Sequence, residues 1–290
     1  MMEIRKVLTI AGSDSGGGAG IQADLKTITA LGGFGMSVVT ALTAQNTLGV
    51  QGIHEIPVEF VKLQFNSVAG DIGIDAAKTG MLASSEIIGA VAEMIRTWEV
   101  TRLVVDPVMV AKGGAKLIRD DAKETLVREL LPLACVVTPN TLEAEELAGI
   151  SICSLDDMKR AAVRINAMGP RHVYIKGGHM VGGDALDVLF DGSNFHELSA
   201  LRIVTKDTHG TGCTLSSAIA TGLAQELTVL EAVRRAKDYI TVAIRFALHI
   251  GEGNGPTNHL APVFRERSHG AYVRELKRAV EKMDEMPSNL

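Results

Sequence analysis

The chain has 290 residues, 46% apolar and 22% charged, with a net charge of −5. That balance supports a full hydrophobic core, and the lack of any basic block or stripe argues against a nucleic-acid or anionic-membrane partner. No apolar run approaches the roughly 20 residues of a membrane span, and the N-terminal stretch meets Gly12-Ser13-Asp14 too soon to read as a signal peptide. Three widely spaced cysteines, Cys135, Cys153 and Cys213, suggest neither a disulfide framework nor a zinc site, so a reducing cytoplasm is the expected setting.

Residues 7–11 read as a buried strand, 12–20 as a glycine-rich loop and 21–31 as a helix. One strand over 36–44 follows, then another at 51–56 and a helix over 58–68. Short strands at 76–79 and 103–106 flank a helix over 84–98. The pattern continues with a helix at 119–131, a strand at 134–138, a short helix opened by Asn140 and a helix over 155–168. A strand at 172–176, a hairpin of 186–190 with 195–198, and helices over 211–223 and 228–249 complete it. Short strands alternating with helices, with no linker, predict one α/β domain in three layers, α/β/α. Its central sheet should be mostly parallel, with an antiparallel edge at the hairpin. Ligands in such sheets lie beyond the carboxyl ends of the strands. Gly12-Ser13-Asp14, Gln45-Asn46, Gly80-Met81, Asp106-Pro107, Pro139-Asn140 and Gly177-Gly178 all follow strands and should line one rim. The core spans about residues 6–265, and 266–290 read as a charged, solvated helical extension.

The strongest chemical signal is Gly210-Thr211-Gly212-Cys213 opening a helix. A helix start leaves about four N–H groups unpaired and carries partial positive charge, and glycines let those groups converge on an anion such as a transferring phosphoryl group. Cys213 at that start is expected to have a lowered pKa and to be able to take a proton from a substrate hydroxyl. Taken alone, the same residues could be a plain glycine turn with a packed cysteine.

Gly18-Ala19-Gly20-Ile21-Gln22-Ala23 matches the dinucleotide fingerprint G-x-G-x-x-A. The glycines do not directly follow the strand, however, and no acid ends the second strand to hold a ribose. An NAD-dependent oxidoreductase is therefore disfavoured, and with no Gly-Lys-Ser/Thr there is no P-loop. The loop could instead be a lid, a substrate-side wall or a flexible surface loop, with Asp14 and Asp24 as nearby carboxylates. Asn140 and Glu143 have the spacing of a capping box, compatible with roles at a nucleotide phosphate and at a magnesium hydration shell. Asp106 ends one strand, and Lys176 ends another, where a point charge suits a phosphate. Gln45 could read a flat heterocycle with one donor and one acceptor, and His209 reads as a turn residue.

Thr9 to Lys26, Thr40 to Asn46, Lys78-Thr79-Gly80-Met81, Asp106 to Met109, Thr138-Pro139-Asn140, Lys176 to His179 and His209 to Thr214 together resemble the hydroxymethylpyrimidine/phosphomethylpyrimidine kinases of the ribokinase-like superfamily. The resemblance implies two successive ATP-dependent phosphorylations, of 4-amino-5-hydroxymethyl-2-methylpyrimidine and of its monophosphate, in thiamine biosynthesis. It implies Cys213 as base in the anion hole of Gly210, Thr211, Gly212 and Cys213. Gln45 and Asp24 would contact the pyrimidine, with Gly12, Met81 and Val108 as pocket walls. Lys176 would bind phosphate, Asn140 and Thr208 would serve ATP, and Asp106 and Glu143 would serve Mg2+. A monovalent cation and a homodimer are also in the family's repertoire. Most members of the superfamily carry Asp at the position of Cys213, and certain pyridoxal kinases share the cysteine, so a pyridoxal kinase of vitamin B6 salvage is the alternative. A non-catalytic sensor would need none of Cys213, Lys176 and Glu143.

Overall fold

The computed structural model describes residues 4–109, 120–178 and 183–261. The extension at 266–290 and the last residue of the Lys176 to His179 motif lie outside them. Eight strands form one sheet in the order β10-β9-β8-β7-β6-β5-β1-β2. These are β1 (Lys6–Ala11), β2 (Phe34–Val39), β5 (Ala76–Thr79), β6 (Leu103–Val105), β7 (Val136–Val137), β8 (His172–Ile175), β9 (Ala185–Phe190) and β10 (Phe195–Ala200). From β8 to β2 every pairing is parallel, whereas β9 runs antiparallel to both β8 and β10.

The strands read as continuous apolar runs because both faces are covered. Val105 and Val173 face a core built on α2 (Val58–Asp71), α3 (Ser85–Thr97), α5 (Thr141–Ala148) and α6 (Leu155–Asn166). Val104 and Tyr174, one residue away in each strand, face α1 (Gly20–Ala30), α7 (Thr211–Ala224) and α8 (Val229–Arg245). A buried polar contact fixes α8 to the edge hairpin: Asp187 accepts from Tyr174 Oη at 2.5 Å and from Lys237 Nζ at 2.6 Å.

Two elements depart from the sequence reading. The single strand expected over 36–44 is two, because the chain leaves the sheet at Thr40, and β3 (Ala41–Asn46) pairs with β4 (Gly49–Glu55) in a separate antiparallel ribbon. Thr40 still donates its N–H to Ala11 O, while its hydroxyl bonds Met81 O, so β2 ends against the neighbouring strands' tails. The helix expected at 119–131 is described from Asp120. It is α-helical to Thr125 (α4), widens to a π turn over Leu126–Leu130 and tightens to a 3-10 turn at Leu131–Leu133, where Pro132 cannot continue it.

The chain passes from β1 to β2 on one side and later to β5 on the other. The crevice between the carboxyl ends of β1 and β5 is therefore the topological switch point, where ligands of open α/β sheets bind.

Candidate active site

Gly12, just past β1, and Met81, just past β5, face each other across that crevice. A side chain begun at Gly12 would lie 2.4 Å from Met81 Cε. Thr79, Gly80, Asp106, Pro107 and Val108 line a narrow cleft beside them. Gln45 reaches the same region from the ribbon, where a register shift at Ala44/Gln45 re-aims its side chain. Its amide nitrogen lies 3.3 Å from His209 Nε2. Gly12 and Met81 thus meet, with Val108 in the cleft beside them, whereas Gln45 lies against His209 and the glycine loop.

Asp24 does not join them. Its carboxylate is completely buried, accepting from Thr9 Oγ1 at 2.6 Å, Ser217 Oγ at 2.7 Å and Lys78 Nζ at 2.9 Å on both oxygens. A group with every lone pair engaged and no exposed surface cannot contact a pyrimidine. Lys78, unassigned in the sequence reading, lies as deeply buried.

The glycine loop is tied down by hydrogen bonds to Asp14. Asp14, 1% exposed, accepts from the backbone N–H groups of Gly16, Gly18 and Ala19 and sits 2.8 Å from His209 Nε2. Burial alone would raise the Asp14 pKa, but these hydrogen bonds and the His209 ring bring it below the ordinary carboxylate range. His209 is therefore a strut as well as a turn residue. Its Nε2 proton belongs to the carboxylate, the stronger acceptor, which leaves the Gln45 amide free to engage another partner.

Gly210 follows at φ +78° and opens α7 without a side-chain cap. A methyl group there would fall 1.8 Å from Gly18 O, so the left-handed turn and the loop can meet only at glycine. Thr211 bonds back to Thr208 O through N–H and hydroxyl, and the Thr214 N–H reaches Gly210 O. The N–H groups of Gly212 and Cys213, between them, take no acceptor in that turn. They are the N–H groups that the sequence reading assigns to an anion hole.

Around this hole lie three charged residues. Lys176 Nζ is 3.0 Å from Asp106 Oδ1, which also takes Thr138 Oγ1 at 3.1 Å. A side chain at Gly212 would begin 3.3 Å from Asp106 Oδ2 and 3.4 Å from Lys176 Nζ, so the α7 start lies directly against the pair. Asn140 bridges to Lys176 between adjacent strand ends and caps α5, and Glu143 completes a true capping box with it at 2.8 and 2.9 Å. Burial raises the Glu143 carboxyl to about 7, opposed by Lys176 and reinforced by Asp106.

That shift has a stability consequence. A carboxyl with a folded pKa of about 7 and an unfolded one of about 4.3 holds its proton more tightly when folded. Its contribution is full below pH ~4.3 and is lost as pH rises through 7, an effect of up to about 4 kcal/mol. Glu143→Gln, which keeps the cap acceptor, should flatten the fall in melting temperature between pH 5 and 8; an unchanged slope would contradict this.

The Cys213 expectation needs correction. Burial pushes its thiol up to about 11 rather than down. The Lys78 ammonium and the Gly20 N–H favour the thiolate, but Asp24 and Asp106 oppose it, and the helix start does not offset the desolvation. Among the described residues no group of three His, Cys, Asp or Glu side chains converges as a metal site.

An uncapped helix start flanked by a lysine and two carboxylates, set at the switch point of a mostly parallel sheet, defines a small-molecule kinase of the ribokinase-like fold. Comparisons with known proteins agree. The family model described as phosphomethylpyrimidine kinase matches residues 14–258. The thiamine biosynthesis bifunctional protein ThiED of Geobacter sulfurreducens is 56% identical over 88% of this chain and 52% of its own, so the chain spans about half that relative's length. The hydroxymethylpyrimidine/phosphomethylpyrimidine kinase of Streptomyces coelicolor is 53% identical over 87% of this chain and 93% of its own. Among solved structures, an ADP complex of Bacillus subtilis pyridoxal kinase aligns with TM-score 0.85 at 40% identity, covering 90% of this chain and 99% of that one. The chain belongs to the phosphomethylpyrimidine kinase family.

Proposed function

We propose that the protein transfers the γ-phosphoryl group of ATP to the hydroxymethyl group of 4-amino-5-hydroxymethyl-2-methylpyrimidine and then phosphorylates the monophosphate to the diphosphate, as a step of thiamine biosynthesis. The observation that carries this reading is the Cys213 sulfur and the free N–H groups of Gly212 and Cys213 at one end of a crevice walled by Gly12, Met81 and Gln45. The pyrimidine lies against the wall that Gly12 and Met81 form together, and the Gln45 amide pairs with its ring edge. Its hydroxymethyl oxygen then faces the start of α7.

In the transfer, the hydroxyl O–H bond breaks and its proton passes to the Cys213 thiolate. The new O–P bond forms as the bond from phosphorus to the ADP oxygen breaks, and the thiol later returns its proton to water. The N–H groups at the start of α7 carry the charge that develops on the equatorial oxygens. Lys176 neutralises the transferred phosphate, and Asn140 and Thr208 lie on the ATP side.

Magnesium fits the donors present. Asp106 and Glu143 offer hard carboxylate oxygens, Asp106 near enough to help raise the Glu143 pKa, and a two-carboxylate site completed by substrate phosphates and water is the usual magnesium arrangement. When bound, the ion supplies charge neutralisation between the phosphates. A homodimer is also proposed.

The test is ATP turnover with the hydroxymethylpyrimidine and, separately, with pyridoxal, with products resolved by mass and EDTA controls run alongside. Mono- and diphosphorylated pyrimidine, lost with EDTA, is the expected result. Pyridoxal phosphate alone would move the substrate to vitamin B6, and no product from either would favour a sensor.

A further inference from the structure

Lys78 has no part in the reading above, although its ammonium is buried directly behind the site. It lies 2.9 Å from both oxygens of Asp24, which Thr9 and Ser217 also hold at 2.6 and 2.7 Å. The cluster joins β5, α1, β1 and α7. Gly80 leaves room for the ammonium, since a side chain there would begin 2.8 Å from Lys78 Nζ. Apolar residues of the same volume commonly stabilise an interior at least as well as a buried ion pair, so packing alone does not account for this one.

We propose that Lys78 is a positioning residue for phosphoryl transfer: fixed by Asp24, its ammonium supplies the positive charge facing the Cys213 sulfur while that sulfur takes the hydroxyl proton. Ser217, which donates to Asp24, stands one turn along α7 from Cys213, and Asp24 stands one turn along α1 from Gly20, so the pair lies under the sulfur where the two helix starts meet. The other charged groups that act on the sulfur are Asp106 beyond β6 and Lys176 beyond β8. Lys78 is the largest influence favouring the thiolate, and Asp24 the larger of the two carboxylates opposing it. The two members of one ion pair therefore act on the sulfur in opposite directions. Loosened packing would shift the reactivity of the sulfur the same way whichever partner is lost, whereas lost charge shifts it in opposite ways.

The experiment compares alkylation rates of Cys213 and Cys153 by peptide mass spectrometry between pH 8 and 9.5 on the ligand-free full chain. The exposed Cys153 serves as the internal reference. Lys78→Met should lower the Cys213-to-Cys153 rate ratio by about tenfold, the equivalent of one pKa unit, and Asp24→Asn should raise it. With substrate, Lys78→Met should also lose about tenfold or more in kcat at nearly constant KM. Shifts in the same direction, or none, would overturn the proposal. Should the lone carboxylate left by Lys78→Met keep that chain from folding, the Asp24→Asn ratio decides alone. The proposal rests on the kinase reading. Normal turnover in Lys78→Met would overturn the proposal alone, whereas a chain that phosphorylates neither substrate would retire the kinase reading and the positioning role with it.

Discussion

Replacing Cys213 with alanine should lower kcat by roughly 10²-fold or more and leave KM for the pyrimidine within about threefold, because the sulfur acts on a proton in flight and not on the bound ring. The raised thiol pKa, about 11, sharpens this expectation. Well below that value the thiolate fraction grows about tenfold per pH unit. A base that must be deprotonated therefore makes kcat climb with pH across 7 to 9, steeply where proton removal limits the rate. Cys213→Asp places there an acid whose ordinary pKa is about 3.9, ionised throughout this range, and should flatten the climb. Steady-state kinetics of the three chains across pH 6.5–9.5 tests both statements. A flat profile for the unaltered chain, or loss of binding with turnover intact in Cys213→Ala, would remove the sulfur from the proton-transfer role.

Gly210→Ala should be more damaging than its single methyl group suggests. The residue sits at φ +78°, where a side chain costs about 1–2 kcal/mol in backbone conformation alone. The methyl would also fall 1.8 Å from Gly18 O, so either the glycine loop lifts off or the α7 turn rewinds. Each route displaces the Gly212 and Cys213 N–H groups from the position of the transferring phosphoryl group, and losing one such donor typically costs 10²–10³ in kcat. The expected result is a fall in kcat of about that size with a lowered melting temperature. Near-normal turnover would mean that the donors lie elsewhere.

Much of this architecture was legible in the chain. The apolar runs and the glycine or polar tails behind them gave the parallel sheet, its antiparallel edge and its ligand rim, because burial on both faces imposes a pattern that local sequence carries. The break at Thr40 was not legible. Residues 41–46 continue to look like a strand and are one, and only long-range pairing places them in a separate ribbon. The site divided along the same line. Gly210 to Cys213, Lys176 and the Asn140–Glu143 box are contiguous or at helix spacing, so their chemistry could be read locally. Asp24 looked like a carboxylate beside the glycine loop and available to substrate, since nothing near it in sequence announces Lys78, 54 positions on, or Ser217, 193 positions on. The direction of the Cys213 shift failed for a related reason. A helix start is a local feature, whereas desolvation and the fields of Asp24 and Asp106 are not.

The link between Asp14 and His209 closes a loop of 195 residues. Contacts of such sequence separation are costly to form early, because the chain loses loop-closure entropy before they stabilise it. The anion hole, its glycine buttress and the Gln45 reader should therefore assemble late in folding, after the strands between them are in register. During synthesis the N-terminal half would leave the ribosome with its glycine loop unanchored, and the catalytic centre would come into existence only when the start of α7 arrives to complete it.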